Sequence, residues 1–393
     1  MMRRIDDVDF FYLAMPEIRN ISDGSQDALL VRVTSGDKVG WGECEAAPLV
    51  TIASLVCPMS HSTCKPVLAS VLGEEIETTR DIARIHDLVR KNSMDLLQAD
   101  HALSGIDIAL WDLLGKITQR PVYDLLGFPR AYPKIPYCSL LFGDTPEETR
   151  QKAQKAREKG FRAVKFGWGN FGHQTLQSDE DQVMAAREGI GKDGILSIDA
   201  GTVWEDNLTE AARRVRILEE CGVTWLEEPF HTGAFPEYLA LSRRCERLKL
   251  AGGEGAHNEY MAQQMIDYAG IGFVQVDAGR VGGITAAKRV FDHAQAKGVT
   301  FINHTFSSHL ALSASIQPYA GAAAHALCEY PGQLTSLGYE MTSTHLELDL
   351  NGEILLPDRP GLGLSPDLTA IKKYLIDTQI GVNGKILYKT PNI

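Results

Sequence analysis

The chain has 393 residues, 44% of them apolar and 23% charged, which is enough for one large domain with a full core plus a smaller one. Its formal net charge of −12 excludes the basic footprint that nucleic acid or anionic lipid would require, so small molecules or further copies of the chain are the expected partners. The opening MMRRIDDVDFFYLAMPE has no apolar stretch long enough for a signal peptide or a membrane span, and a cytoplasmic location is expected. Seven dispersed cysteines without a CxxC pair argue against a disulfide framework or a zinc site. Only Cys57 and Cys64 share one loop-like stretch, and pairing there is not expected in a reducing compartment.

Residues 27–34 (DALLVRVT) and 38–42 (KVGWG) read as two strands joined by a turn at Ser35-Gly36-Asp37. From Asp100 to Gly115 apolar residues recur with helical spacing, and Gly127 and Pro129 close that segment. Residues 1–130 are therefore expected to form a small α+β domain. From about 135 the texture changes to short apolar runs, each ending in a polar residue and followed by a helical pattern. The candidate strands are Ile135–Leu140, Phe161–Phe166, Ile195–Asp199, Thr224–Glu227, Leu248–Gly252, Phe273–Asp277, Thr300–His304 and a weaker one at Ala326–Glu329. Strands and helices in this alternation predict an α/β fold over 131–345, a closed barrel of the (β/α)8 type. Beyond it, HLELDLNGEILLPDRPGLGLSPD reads as a short strand, a turn at Asn351-Gly352 and an extended segment, with 346–393 expected to return to the first domain.

In such a barrel, chemistry sits at the C-terminal tips of the strands. The ionisable residues there are Lys165, Asp199, Glu227, Glu254, Asp277, His304 and Glu329, recurring at intervals of 23–34 residues, about one βα unit each. A lone acid at such a place is more often a solvated or capping residue, but seven at barrel-unit spacing favour a shared site. Asp199, Glu227 and Glu254, from successive strands, make a hard oxygen site suited to Mg2+ rather than zinc. A metal there binds a substrate carboxylate and stabilises the enediolate formed when the neighbouring carbon loses a proton.

Lys165 and His304 come from the second and seventh strands, on opposite sides of the barrel axis, where they can address opposite faces of that carbon. Asp277 can accept a hydrogen bond from the imidazole, and Glu329 can donate to the enediolate or act as a general acid. The bland alternatives are a snorkelling lysine and a structural Asp–His pair. His309 is a rival to His304, ranked as a supporting or surface residue because it falls where the next helix should begin.

The motifs that carry these residues are GWGEC at 40–44, DIALWDLLGK at 107–116, SIDAG at 197–201, WLEEP at 225–229, GGEG at 252–255, DAGRVGGIT at 277–285 and PDRPGLGL at 357–364. In this order they resemble the mandelate racemase and acid-sugar dehydratase group of the enolase superfamily over nearly the whole chain. The resemblance implies an N-terminal α+β capping domain, completed by the C-terminal segment, over a modified TIM-type barrel that binds Mg2+, and it implies a homo-oligomer. It also implies that Asp199, Glu227 and Glu254 are the metal ligands, with Glu228 behind them, that Asp277 and His304 form an Asp–His dyad, and that Glu329 is the eighth-strand acid. The cycloisomerase and dipeptide-epimerase branch would place lysine at position 277.

One departure stands out. Many members show Lys-x-Lys on the second strand, where this chain has Ala163-Val164-Lys165, which keeps the second lysine, usually the base, and lacks the first, which tunes it. The expected reaction is dehydration of an acid sugar to a 2-keto-3-deoxy acid. The alternatives are racemisation or epimerisation of a 2-hydroxy acid, and cycloisomerisation of a sugar lactone or anhydro sugar acid. A barrel that binds without catalysis is the reading from another class, opposed by the intact set of charged tips. Specificity is expected from capping loops at Pro16–Gln26 and Glu45–Cys64, where Arg19, Asn20, Glu45 and His61 are candidates, although a solvated loop is the commoner fate of such residues.

Overall fold

The computed structural model describes residues 3–21, 23–44, 47–97 and 100–393. At the N-terminus, β1 (Asp7–Ala14), β2 (Asp27–Ser35) and β3 (Lys38–Cys44) form an antiparallel sheet in that order. Sequence reading anticipates β2 and β3 but assigns nothing to β1, whose run of adjacent apolar residues does not alternate. Pairing with β2 and cover from the C-terminus bury it from both sides. Helices α1 (Pro48–Val56), α2 (Thr79–Asn92), α3 (His101–Thr118) and the short α4 (Val122–Leu125) follow. Nearly all of α3 is buried, as befits a helix apolar on every side. It lies directly on β3, because a Cβ at Gly40 or Gly42 would stand 2.1 or 2.2 Å from the carbonyl oxygens of Ala109 and Gly105.

The rest alternates: β4 (Ile135–Leu141), α5 (Pro146–Glu158), β5 (Ala163–Gly167), α6 (Leu176–Ile190), β6 (Ile195–Asp199), α7 (Leu208–Glu220), β7 (Trp225–Glu227), α8 (Phe235–Ser242), β8 (Lys249–Gly252), α9 (Glu259–Tyr268), β9 (Phe273–Val276), α10 (Gly283–Lys297), β10 (Thr300–Asn303), α11 (His309–Ile316) and β11 (Leu327–Pro331). The eight parallel strands run in the order β10-β9-β8-β7-β6-β5-β4-β11, a nearly closed barrel. No ladder joins β10 to β11. The Asn303 side chain bridges that seam instead, accepting from the Glu329 N–H at 3.0 Å and donating to its carbonyl at 3.3 Å. Tyr137, Ala163, Trp225, Ala251 and Ile302 fill a small apolar layer inside the barrel beneath the charged tips.

The C-terminal segment crosses back to the N-terminal sheet and ends in a hairpin, β12 (Gln379–Val382) and β13 (Lys385–Lys389). The Ile376 N–H donates to the Tyr12 carbonyl at 2.8 Å, and the Tyr388 hydroxyl donates to that of Phe10 at 2.7 Å. Fully buried Asp112 ties three parts together, accepting from the N–H groups of Trp41 (2.8 Å) and Leu362 (2.9 Å) and from the Lys116 ammonium (2.6 Å). The strand expected just before Asn351 does not form. There the Asp349 carboxylate accepts from the N–H groups of Asn351 and Glu353 and holds the chain in a turn. Among the described residues, no helix is long and apolar enough to cross a membrane.

The N-terminal helices also grip the barrel loop that carries Asp277. His86 on α2 meets the Gly282 carbonyl at 3.2 Å, Ser104 accepts from the Gly282 N–H at 2.9 Å, and Asp107 accepts from the Thr285 N–H at 3.0 Å. The Trp111 indole donates to the Thr285 hydroxyl at 2.9 Å. Glu43 of β3 accepts from the hydroxyl of Ser308, the residue that caps α11.

Two measurements test this joint. Burial, aided by Arg289 and Arg90, pushes the His86 imidazole down to about 4, so the native state holds it neutral while the unfolded chain protonates it near 6.5. Stability from this group is therefore lost as pH falls from about 6.5 to 4, by roughly 3 kcal/mol in all. Urea unfolding of wild type and His86→Gln should converge by about that amount over this range. At Gly283 (φ +91°) a Cβ would lie 2.2 Å from Asp107 Oδ1, whereas at Gly298 (φ +71°) it would meet nothing within 4 Å. Gly283→Ala should cost roughly 2–4 kcal/mol in the same assay, and Gly298→Ala about 1 kcal/mol.

Candidate active site

All seven tip residues converge on one mouth. Parallel pairing of β5, β6 and β7 sets Lys165 opposite Ser197, Gly167 opposite Asp199, and Asp199 opposite Glu227. Gly167 has no side chain to keep Asp199 out, since a Cβ there would lie 2.7 Å from that of Asp199. The Lys165 ammonium donates to Glu227 Oε1 at 2.6 Å and lies 2.9 Å from Glu329 Oε1 and 3.7 Å from Asp199 Oδ2. The Trp225 indole (3.0 Å) and the Gln275 amide (2.7 Å) hold the other oxygen of Glu227. His304 Nδ1 lies 2.8 Å from Asp277 Oδ2, while its Nε2 lies 2.8 Å from Glu254 Oε2 and 3.8 Å from Glu329 Oε2. The Thr305 N–H fixes that Glu329 oxygen at 2.8 Å, and the Gly279 N–H fixes the other oxygen of Asp277 at 2.5 Å.

These charges are desolvated, so their balance governs the site. Burial, followed by the repulsion of Glu227, raises Asp199 well above the usual carboxylate range, and burial raises Glu227 despite Lys165. Glu228, behind them, is pushed up to about 8 by burial and by Glu254 and Glu227. Burial alone would discharge Lys165, but Glu227 and Glu329 outweigh it and hold the ammonium pKa well above its ordinary value. His304 is raised in the same way by Glu254 and Glu329, and its charge in turn lowers Glu254 against the pull of burial.

Asp199, Glu227 and Glu254 are an all-oxygen donor set on adjacent strands, short of positive charge, which is the chemistry a hard divalent cation fits. Here the ammonium and the imidazole supply that charge. Among the described residues, no three acidic, histidine or cysteine side chains are already gathered as a metal-holding group.

A cavity of about 330 Å³ opens over the cluster, with Lys165, Asp199, Glu254, His304 and Glu329 in its wall. Its remaining wall includes residues that a search for charged strand tips misses. Ser139 is a tip residue of β4 but uncharged, Phe306 lies two past His304, and Arg280 sits within the DAGRVGGIT motif with its guanidinium 3.8 Å from Glu254. Trp168 follows β5, and Asp23 and Gly24 reach in from the N-terminal domain. Asp23 lies in the capping loop at Pro16–Gln26 expected to set specificity, but it is not singled out there as Arg19 and Asn20 are.

Of the four candidates for specificity, Arg19 and Asn20 line neighbouring chambers rather than this one. His61 is half exposed and bonded to Asp95 at 2.7 Å, in none of these cavities. Glu45 lies outside the described residues. His309 begins α11 as expected, but it is buried rather than at the surface. Its Nδ1 accepts from the Leu346 N–H at 3.2 Å, with the rings of Tyr330 and His345 around it and away from the mouth.

Comparison with known proteins agrees with this geometry. Residues 17–127 match the family model for the mandelate racemase / muconate lactonizing enzyme N-terminal domain, and 148–370 match that for the enolase C-terminal domain-like family. A crystal structure of a Rhodobacter sphaeroides protein, described as a predicted mandelate racemase, is 54% identical with a TM-score of 0.95, covering 99% of this chain and all of that one. Arabinonate dehydratase of Saccharolobus solfataricus is 27% identical over 84% of this chain and 85% of its own length. D-galactarolactone cycloisomerase of Agrobacterium fabrum is 28% identical over 88% and 90%. With both domains matched and the barrel mouth assembled, the chain belongs to the mandelate racemase / muconate lactonizing enzyme group of the enolase superfamily.

Proposed function

We propose that this protein catalyses Mg2+-dependent removal of the proton α to a carboxylate, and that the reaction ends in dehydration of an acid sugar to a 2-keto-3-deoxy acid. The observation that carries this reading is the placement of two proton-transfer groups, Lys165 and His304, each within 4 Å of the one Glu329 carboxylate beside a buried acidic cluster. Asp199, Glu227 and Glu254 would hold the metal, which when bound supplies positive charge to polarise the substrate carboxylate. Lys165 and His304 now share the oxygens of those acids. Once the acids are engaged elsewhere, the field that keeps Lys165 charged weakens, and the lysine can give up its proton and serve as a base.

Lys165 then removes the α-proton, and the C–H electron pair moves into the carboxylate as an enediolate. His304, its Nδ1–H held by Asp277, presents Nε2 to the substrate and returns a proton to the departing β-hydroxyl, which leaves as water. The resulting enol takes a proton at C3 and becomes the 2-keto acid. Glu329, fixed by the Thr305 N–H, lies between the two groups where developing charge can be met by a hydrogen bond. Ala163, standing where a lysine is common, lies in the apolar layer beneath Lys165, so the tuning of Lys165 falls to Glu227 and Glu329 rather than to a second ammonium. The same two groups acting in succession would give a racemase or epimerase. A cycloisomerase outcome has support from the Agrobacterium fabrum relative.

Incubation of the Mg2+-loaded protein with mono- and di-acid sugars in D2O should yield a 2-keto-3-deoxy product. Deuterium uptake without dehydration would replace that reading with racemisation, and silence across the panel would favour the cycloisomerase or a non-catalytic barrel. Lys165→Met and His304→Asn should each lower kcat by about 10²–10⁴-fold or more with the fold intact by circular dichroism. Glu254→Gln should weaken Mg2+ binding in calorimetry by at least about tenfold, since ligand charge sets the affinity of such sites. In chelator, Lys165→Met should also lose roughly 3 kcal/mol of stability near neutral pH, because Glu227 and Glu329 are left without their cation. That loss should shrink as pH falls and the stranded Glu227 carboxylate, raised by burial, takes up a proton.

A further inference from the structure

Trp168 has a backbone that side chains other than glycine rarely adopt, φ +59°, directly after the strand that presents Lys165. Its indole lies flat over the next loop, where a Cβ at Gly201 would come within 2.9–3.1 Å of three ring atoms. Gly201 is itself tied to the site, donating its N–H to Asp199 at 2.8 Å. Trp168 and Leu141 line both the cavity of about 330 Å³ over the charged cluster and a larger chamber of about 660 Å³. The chamber wall is mixed, with Ile21, Phe142 and Val203 beside Asn20, Asp144, Thr202 and His231, and the latter are residue types that hydrogen-bond hydroxyl groups.

A bulky aromatic side chain held in a strained backbone, 39% exposed, and shared by the acidic cavity and this vestibule stands where it can divide the two. We propose that Trp168 is the partition that sets how long an acid the site accepts. It confines the substrate carbon chain to the inner cavity and closes off a chamber otherwise suited to the distal hydroxyls of a longer polyhydroxy acid. This rests on the functional reading above for the class of ligand, and it adds a specificity-determining residue that contacts the far end of the substrate rather than the reacting atoms.

The test uses the full-length, Mg2+-loaded protein and its Trp168→Gly and Trp168→Phe variants with threonate, xylonate, gluconate and glucoheptonate. Glycine suits the positive φ, so its introduction removes the ring without adding backbone strain. Turnover is read as kcat/KM, and binding is read separately by calorimetry. The expected result is that Trp168→Gly raises the preference for the longest over the shortest acid by roughly tenfold or more, in kcat/KM and in Kd alike, while Trp168→Phe retains most of the wild-type preference. An unchanged length preference in Trp168→Gly overturns the proposal, as does failure of every acid to bind it. If no acid is turned over but binding shows the shift, the reaction assigned to the site fails and the partition stands.

Discussion

A charge taken out of water must be met by an opposite charge, and in this protein that requirement is concentrated at one end of a barrel. Asp199, Glu227, Asp277 and Glu329 are buried there with Glu254 at their rim, and Lys165 and His304 are the buried cations among them. The lysine answers Glu227 and Glu329, and the imidazole answers Glu254 and Asp277. The cluster remains acidic by count, and Asp199 is raised first by burial and then by the charge of Glu227. Packing thus holds more negative than positive charge at the mouth, and each cation there is shared between two carboxylates.

The N-terminal domain is part of this arrangement rather than an appendage. Helix α3 sits so close to β3 that only glycine fits at 40 and 42, and from that fixed position it binds the loop that follows Asp277 through Ser104, Asp107 and Trp111. Glu43 reaches the cap of the helix that follows His304. Both members of the Asp–His pair therefore stand on loops whose far sides are anchored in the other domain. Around the N-terminal loop, residues 19 and 23–26 are themselves clamped, because the Gln26 amide pairs with both backbone groups of Arg19 and Ser25 is bonded to Thr335. The same loop carries Asp23 to the cavity.

Backbone strain follows the same geography. Among the described residues, Trp168, Thr202, Glu205 and Glu228 are four of the six with positive φ other than glycine, and all follow barrel strands at the mouth. Short loops there must turn sharply while keeping particular side chains at the opening, and the surrounding packing holds them in place. The opposite end of the barrel carries no comparable cluster in the described residues.

Periodicity made the alternation of strands and helices legible, and with it the rule that chemistry lies at strand tips. Seven charged tips at one-unit spacing were enough to select Lys165, Asp199, Glu227, Glu254, Asp277, His304 and Glu329, because strand register and barrel closure leave little freedom in where such residues end up. The strand β1 was not legible, since its apolar run acquires meaning only when β2 and the C-terminal hairpin cover it. Nor was the strand read before Asn351 real, because the side chain of Asp349 competes locally for the backbone.

Asp23, Ser139, Trp168 and Arg280 joined the site only in three dimensions. What makes them part of it is proximity across loops and domains, and no local pattern encodes that distance. Sequence determined which charged residues stand at the strand tips, because charge type and spacing are properties of the chain. Tertiary structure alone decided which cation answers which carboxylate, because Coulomb energy depends on separations of a few ångströms that packing sets.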